Sequence, residues 1–383
     1  MDFDFTTDQL AIKETAERFS TERIAPGYME RDSSHLIDRD LLREMGELGL
    51  VGADIPEKFG GLGLDCVTGG LIIEQVSYAD FNIATPLLMG ALVAQPLAKY
   101  GQAGIADEWI PKMCRGEAVF AIALTEPRGG SDAGAMQLNI RRDGDHYVVN
   151  GEKTSISFAD QADAVLLFGR TSDDGARGIT ALFVPFNLPN IERTRFDDLG
   201  QTCVGRGSIF FDDTKVEENN RVGEEGLGFI GVMQGFDYSR ALIGLQVLAA
   251  AQASVDETWK YVTEREAFGR PIVKFEGVSA PLAEAETMLN AARLLCYKTL
   301  WLRDQERPHT AEAAMCKWWC PKVAFEIIHK CLLLHGHLGY SRDFPHQQRL
   351  RDVLGYQLGD GTEQIQKLVV AREKVGKVAI PYV

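Results

Sequence analysis

Apolar positions along this chain change their spacing twice. Over the first ~115 residues they recur with helical period. Thr7-x-x-Leu10-Ala11-x-x-Glu14 opens one amphipathic stretch, and Leu41-Leu42-x-x-Met45-x-x-Leu48 opens another. The glycine-rich run Pro56-Glu57-Lys58-Phe59-Gly60-Gly61-Leu62-Gly63 interrupts the helices, and a long apolar segment follows at 70–99. Short apolar runs then take over: Tyr147-Val148-Val149, Ala164-Val165-Leu166-Leu167-Phe168, Ile179 through Val184, and Ser208-Ile209-Phe210-Phe211. Their spacing predicts a compact antiparallel β domain, with Asn150-Gly151 as a hairpin turn. Beyond residue 228 the helical period returns. Leu248, Val255, Trp259 and Val262 share one face; Leu282, Ala285, Leu289 and Ala292 share another; Val323, Ile327 and Leu334 mark a further helix. The chain therefore divides into a helical domain (1–116), a β domain (117–226) and a helical bundle (227–383), an α+β protein.

One motif in this frame is a decoy. Gly226-Leu227-Gly228-Phe229-Ile230-Gly231 satisfies G-x-G-x-x-G, but a dinucleotide fold needs a parallel strand after the helix, and none is predicted. A glycine turn entering the bundle is the expected structure.

Composition narrows the function classes. Hydrophobic residues make up 45% and charged residues 25%, ordinary for a globular chain long enough to bury large cores. The net charge of −15 repels nucleic acid and anionic membranes, so any anionic ligand must be held by local donors. No apolar run reaches the ~18 residues of a membrane span. The acidic opening Met1-Asp2-Phe3-Asp4-Phe5 has neither a secretory nor a transit pattern, so a cytoplasmic protein without membrane insertion is expected. Seven cysteines lack a paired framework and are expected to be reduced. Cys316-x-x-x-Cys320 has no second pair at a zinc-binding spacing, and no metal is expected.

The strongest local signal is Ala123-Leu124-Thr125-Glu126-Pro127-Arg128-Gly129-Gly130-Ser131-Asp132-Ala133-Gly134-Ala135. It resembles the signature of the acyl-CoA dehydrogenases, and the resemblance extends over nearly the whole chain. The glycine turn at 56–63 is similar to the family's N-terminal turn, and Met233-Gln234-Gly235-Phe236-Asp237-Tyr238-Ser239-Arg240 to the start of its acyl-CoA-contacting helix. Arg265-Glu266-Ala267-Phe268-Gly269 resembles the loop reaching a neighbouring subunit's flavin. Arg351-Asp352, seven residues, then Asp360-Gly361-Thr362 resembles the catalytic loop, with Ala371-Arg372-Glu373 closing the last helix. The resemblance implies a helical domain, a β domain and a four-helix bundle, assembled as a homotetramer.

It also implies a chemistry: a carboxylate takes the α-proton of an acyl-CoA thioester while the β-hydrogen leaves as hydride to flavin N5. A carboxylate in water is too weak a base for this, so the site must exclude water and stabilise the developing enolate. Asp360 is the implied base and its N–H the implied donor to the thioester oxygen, with Gly361 permitting close approach. The implied FAD contacts are Ile122, Leu124, Thr125, Gly130, Ser131, Ser155, Ser157, Gly336, Thr362 and Gln364. Arg265 and Phe268 would meet the other subunit's flavin. Ser131, Asp237, Tyr238, Arg240 and Gly361 are the implied substrate contacts; for Arg240 the competing reading is a surface charge near a helix start. An electron-transferring flavoprotein is the implied acceptor.

Several positions depart from the family pattern. Asp360 stands where most relatives carry glutamate, one methylene shorter and set back by roughly 1.5 Å. Some relatives place the base at the position of Ser239, which cannot serve here. His335-Gly336-His337 and Leu333 replace a Gly-Gly pair preceded by glutamine, and Glu276 replaces another flavin-side glutamine. Ser155 falls where many members place a tryptophan, while Ser157 keeps a hydroxyl near N5. An aspartate in a Gly-Asp-Gly-Thr loop resembles the subgroup acting on alicyclic thioesters such as cyclohexane-1-carboxyl-CoA, whose tertiary α-carbon fills the space a short base leaves. A related cyclohexene enzyme uses an extra aspartate from the N-terminal region; residues 85–96 hold no carboxylate. Ordinary 1,2-dehydrogenation of a cyclic acyl-CoA is favoured, with a short or branched-chain acyl-CoA as the alternative. An oxygen-reacting oxidase or monooxygenase, or a flavin-binding member without turnover, are the readings of another class.

Overall fold

The computed structural model describes residues 4–380. Residues 1–3, where the acidic opening begins, lie outside it, as do the side chains of Met233 and Gln234 in the substrate-helix motif. Helix α1 (Thr7–Phe19) starts on a capping box. The Thr6 hydroxyl accepts from the Gln9 N–H, and the Gln9 side chain accepts from the Thr6 N–H. Helices α2 (Tyr28–Ser34), α3 (Arg39–Glu47), α4 (Cys66–Ala79), α5 (Phe81–Ala84), α6 (Gln95–Tyr100) and α7 (Ala103–Cys114) complete the first domain. Leu41, Leu42 and Met45 are buried as their spacing predicts, whereas Leu48 stays exposed. The segment Phe81–Tyr100 is long and apolar enough to cross a membrane, longer than the runs expected from the sequence. It lies inside the protein, with 89% of its apolar window buried, so it serves as a core helix of this domain.

An eight-stranded sheet follows: β1 (Phe120–Ala123), β2 (Asn139–Asp143), β3 (His146–Ser157), β4 (Ala164–Arg170), β5 (Ile179–Pro185), β6 (Ile191–Arg193), β7 (Arg206–Glu217) and β8 (Arg221–Val222). Strands β6-β7-β3-β2-β4-β5-β8 lie in that order. Most pairings are antiparallel, as expected, but β1 runs parallel to β4. The β2–β3 hairpin inserted between them in sequence provides the crossover that a parallel pair requires. The predicted Asn150-Gly151 turn is not formed. Strand β3 runs straight through it with a register shift between Val149 and Gly151. Asn150 Nδ2 instead donates to Asp213 Oδ1 on β7 at 2.9 Å, its Oδ1 accepts from the Asp213 N–H at 2.8 Å, and the extra residue is absorbed as a bulge. The actual turn is Gly144-Asp145, where Gly144 has φ of 66°.

The last domain begins with α8 (Gly228–Glu264), so the G-x-G-x-x-G run is a turn into a helix, as expected. The two-stranded hairpin β9 (Glu266–Ala267) and β10 (Arg270–Pro271) follows, then α9 (Glu276–Asp304), α10 (Thr310–Leu334), α11 (His337–Tyr340), α12 (His346–Leu354) and α13 (Glu363–Val375). Helices α8, α9 and α10 pack on one another, α13 packs on α10, and α8 also packs on α4 of the first domain.

The Arg351-Asp352 pair of the sequence motif ties the domains together. Asp352 is fully buried and accepts from the Gln201 N–H at 2.6 Å and from Asn82 Nδ2 at 3.1 Å. Arg351 pairs with Asp32 at 2.6 Å. Burial pushes the Asp352 carboxyl up to about 7, opposed by the Gln201 N–H and reinforced by Asp80 and Asp32. Helix α12, which leads to Asp360, is thereby fixed from both other domains.

Candidate active site

The loop between α12 and α13 turns on two successive residues with positive φ, Asp360 at 55° and Gly361 at 94°. Aspartate tolerates the left-handed region better than most residues, and glycine is required next to it. A Cβ at Gly361 would stand 2.3 Å from Gln366 Nε2. That amide is engaged in the loop, donating to the Asp360 carbonyl at 3.0 Å. Thr362 caps α13, its hydroxyl accepting from the Ile365 N–H. Among the described residues the Asp360 N–H donates to no protein atom, leaving a donor for an oxygen outside the chain. Asp360 is half-buried. Burial raises its carboxyl pKa, with Lys317 and then Arg240 opposing the rise. A base made stronger by desolvation is what proton removal beside a thioester needs.

Helix α8 supplies the facing side chains. Arg240 is not a surface charge: its side chain is 11% exposed and pairs with Asp237 at 3.0 Å, one turn earlier. Asp237 also accepts from Thr310 Oγ1 at 2.6 Å, which fixes it toward α10. Among the described residues Arg240 Nε is buried without a partner, a donor available to a ligand. Ser239 is fully buried and donates to the Phe236 carbonyl at 3.2 Å. The Tyr238 hydroxyl donates to Asp54 Oδ2 at 2.6 Å and so is already engaged within the protein. Asp54 also accepts from Gln95 Nε2 at 2.8 Å, and its Oδ1 lies 3.8 Å from where a Gly90 Cβ would be. Residues 85–96 thus meet a half-buried carboxylate from another segment, a juxtaposition that reading the stretch alone could not find.

A second cluster forms at the end of the sheet. Leu124 and Thr125 leave β1 beside the end of β3, where the Thr154 N–H donates to the Thr125 carbonyl at 3.0 Å. Lys153, fully buried, donates to the Leu124 carbonyl at 2.9 Å and to Glu126 Oε1 at 2.8 Å. Glu126 further accepts from the N–H groups of Gln137 (2.7 Å) and Leu138 (2.8 Å). Burial would raise Glu126, but Lys153 and those N–H groups hold it below the usual carboxylate range. Burial lowers Lys153 to about 8 against the pull of Glu126. The signature's acidic residue is therefore a strap for Leu124 and Thr125, and Lys153, not singled out from the sequence, is its other half. The strap holds Leu124 and Thr125 against β3, whose last residue is Ser157. Gly130 is held against Thr125, where a Cβ would come within 3.3 Å of Thr125 Cγ2. Neutral hydroxyl and backbone donors, with the nearby carboxylate already neutralised, suit a polar ring edge and its phosphates. Ile122 is half-buried on β1. Ser131 is exposed, as is Ser155, at φ of 56°.

The remaining predicted contacts lie on the surface of the single chain. Arg265 and Phe268 border and tip the β9–β10 hairpin, Phe268 93% exposed. Gly336 (φ 61°), His337, Leu333, Gln364 and Glu276 are exposed. His335 and His337 differ in exposure. His335 is buried, bonded through Nδ1 to the Cys331 carbonyl at 2.9 Å and stacked on Tyr261. Packing is therefore the role of the first histidine, and the pair shares no ligand-facing side.

Comparison with known proteins covers this whole arrangement. Residues 6–117, 121–214 and 226–375 match the family models for the acyl-CoA dehydrogenase N-terminal, middle and C-terminal domains. The chain is 34% identical over 376 residues to the benzylmalonyl-CoA dehydrogenase of Aromatoleum aromaticum, covering 97% of this chain and 99% of that protein. It is 33% identical over 363 residues to the mitochondrial short-chain specific acyl-CoA dehydrogenase of Mus musculus, covering 94% and 88%. The butyryl-CoA dehydrogenase of Megasphaera elsdenii superposes with a TM-score of 0.94 at 30% identity, over 98% of this chain and 100% of that one.

Proposed function

The chain belongs to the acyl-CoA dehydrogenase family, and from that premise we propose that it desaturates a cyclic acyl-CoA, with Asp360 as the α-proton base and cyclohexane-1-carboxyl-CoA as the favoured substrate. As a family member it is an FAD-dependent enzyme acting on CH–CH bonds of acyl-CoA thioesters. When bound, FAD supplies the hydride acceptor. Leu124, Thr125, Gly130, Ser131 and Ser157 would hold it from one subunit, and the exposed Arg265 and Phe268 would reach it from another within a homotetramer. We divide the chain at 116/117 and 226/227, and propose an electron-transferring flavoprotein as the redox partner.

The single observation that carries the reading is the Asp360 loop. It presents a desolvated carboxyl and, from the same residue, a backbone N–H with no protein partner. One group would take the α-proton, while the other would donate to the thioester oxygen as negative charge grows there. Arg240 would hold the charged end of the substrate through its unpartnered Nε. The cyclic substrate is supported by reach: a base shorter by roughly 1.5 Å meets an α-carbon that a ring makes thicker. The likeness to short-chain enzymes supports the second reading, a short or branched acyl group.

The test is anaerobic flavin bleaching with cyclohexane-1-carboxyl-CoA, isobutyryl-CoA and butyryl-CoA. Fastest bleaching by the cyclic ester is expected, with Asp360→Asn retaining FAD and losing bleaching. Faster bleaching by butyryl-CoA would reject the cyclic substrate, and undiminished bleaching in Asp360→Asn would reject the base.

A further inference from the structure

Helix α10 is apolar where it passes behind the Asp360 loop, yet it carries a lysine there. Lys317, in the run Cys316-Lys317-Trp318, is 1% exposed. Its ammonium donates to the carbonyl of Tyr356 and, at 3.3 Å, to that of Gly361. Those carbonyls bracket Asp360, one on each side in the chain. Besides Lys317, Gln366 Nε2 holds the loop at the Asp360 carbonyl; the N–H groups of Leu358 and Gly359 both return to the Gly355 carbonyl, and beyond them the two positive-φ residues stand. A buried ammonium with two carbonyl acceptors is a rigid tie, because leaving either bond unmade would strand a charge away from water.

The charged and titratable groups that face this ammonium come from three directions. Asp360 faces it from the loop, Arg240 from α8, and Cys320 from one turn further along α10. Arg240 in turn faces Asp237 and Asp360, with Arg372 of α13 opposing it. Of the groups facing Lys317, Asp360 exerts the largest attraction.

We infer that Lys317 is a positioning residue for α-proton removal: it clamps the carbonyls on either side of Asp360 and holds a fixed positive charge behind the carboxylate. The inference rests on Asp360 being the base. Burial lowers Lys317 to about 8, with Asp360 opposing, so the ammonium is charged at neutral pH and is lost on moderate alkalinisation. The clamp fixes where the carboxylate points, and the charge limits how far burial can protonate it.

The experiment is the rate of anaerobic flavin reduction in the FAD-loaded enzyme from pH 5.5 to 9.5, using whichever thioester bleaches the wild type fastest. Lys317→Arg keeps the charge, Lys317→Gln keeps an amide donor without charge, and Lys317→Met keeps neither. In the Gln and Met variants the acid limb of the rate should move to higher pH by about one unit, because an opposite charge beside the carboxylate is gone. The limiting rate should fall about tenfold or more in Met and less in Gln, as misplacement of the base predicts. Arg should leave the limb in place. An unmoved limb in both neutral variants, whatever their rates, overturns the inference, and so does an equal shift in Arg. If neither neutral variant retains FAD, Lys317→Arg decides: an unmoved limb with a limiting rate several-fold below wild type is expected, because a planar guanidinium cannot reproduce both carbonyl bonds, and a wild-type rate or a moved limb overturns the inference. Asp360→Asn separates this from the function itself. If that variant still reduces flavin, the base and this inference fall together; if it is inactive while the limb stays put, only the role of Lys317 falls.

Discussion

Replacing Lys153 by methionine tests whether the buried pair under the signature segment organises the flavin side of the site. Methionine keeps the length and apolar stem, so the change removes the ammonium while disturbing packing little. The loss can be worked from the contacts. Lys153 is fully buried and makes two charge-assisted bonds, at 2.9 Å to the Leu124 carbonyl and 2.8 Å to Glu126. Removing one partner of a buried pair costs about 3–5 kcal/mol, mostly from the charge left behind. Glu126 keeps two backbone N–H donors, which puts the expected loss near the lower end, at about 3 kcal/mol. Urea unfolding at one fixed protein concentration, followed by tryptophan emission, measures it, and the flavin-to-protein ratio measures FAD retention. The single variant should lose stability and FAD together. The double variant Lys153→Met/Glu126→Gln should recover part of the stability, because no charge is then stranded, while FAD retention stays low since Leu124 is still untied. A double variant no more stable than the single one, or a single variant within about 1 kcal/mol of wild type, would show that the cost is not that of an unpaired buried carboxylate.

Three further outcomes follow from the same contacts. Gly361→Ala places a Cβ 2.3 Å from Gln366 Nε2 at φ of 94°, so the Asp360 carbonyl loses its tie; flavin reduction should fall by about 10²-fold with FAD content unchanged, measured by stopped-flow bleaching. Asp360→Glu restores the methylene, and should slow reduction by cyclohexane-1-carboxyl-CoA while raising the relative rate with butyryl-CoA; an unchanged ratio of the two rates would remove reach as the basis of selection. His346 is fully buried, and burial, then His335 and Arg349, lower it to about 3 against Glu257. Its folded form is neutral, while the unfolded chain takes up a proton below about pH 6.5, so its contribution is complete above that pH and is lost as pH falls toward 3. Between pH 7 and 5 this amounts to about 2 kcal/mol, and His346→Leu should flatten that part of the urea-midpoint profile.

What the sequence made legible were features fixed by local pattern. The helix–sheet–helix order follows from the change of period, and Leu282, Ala285, Leu289 and Ala292 are all buried as their spacing predicts. The Asn150-Gly151 turn failed because a preference for turns is local, whereas the partner that decided the outcome, Asp213, is 63 residues away. Sequence distance likewise hides the residues around Asp360, the proposed base. Asp360 could be named because a glycine follows it in a recognisable loop, but nothing within ten residues reveals Lys317, 43 positions earlier on another helix. The one available hint was a lysine amid Cys316, Trp318, Trp319 and Cys320, a charge in a run that otherwise belongs inside. Such a residue must find buried acceptors, and the structure supplies two main-chain carbonyls, which no side-chain pattern can advertise. Asp54 repeats the lesson on the other side of α8. A carboxylate missing from residues 85–96 arrives from a separate turn and engages Tyr238 and Gln95. In both places the sequence names one group, Asp360 or Tyr238, while the groups that set its charge and direction are assembled by packing.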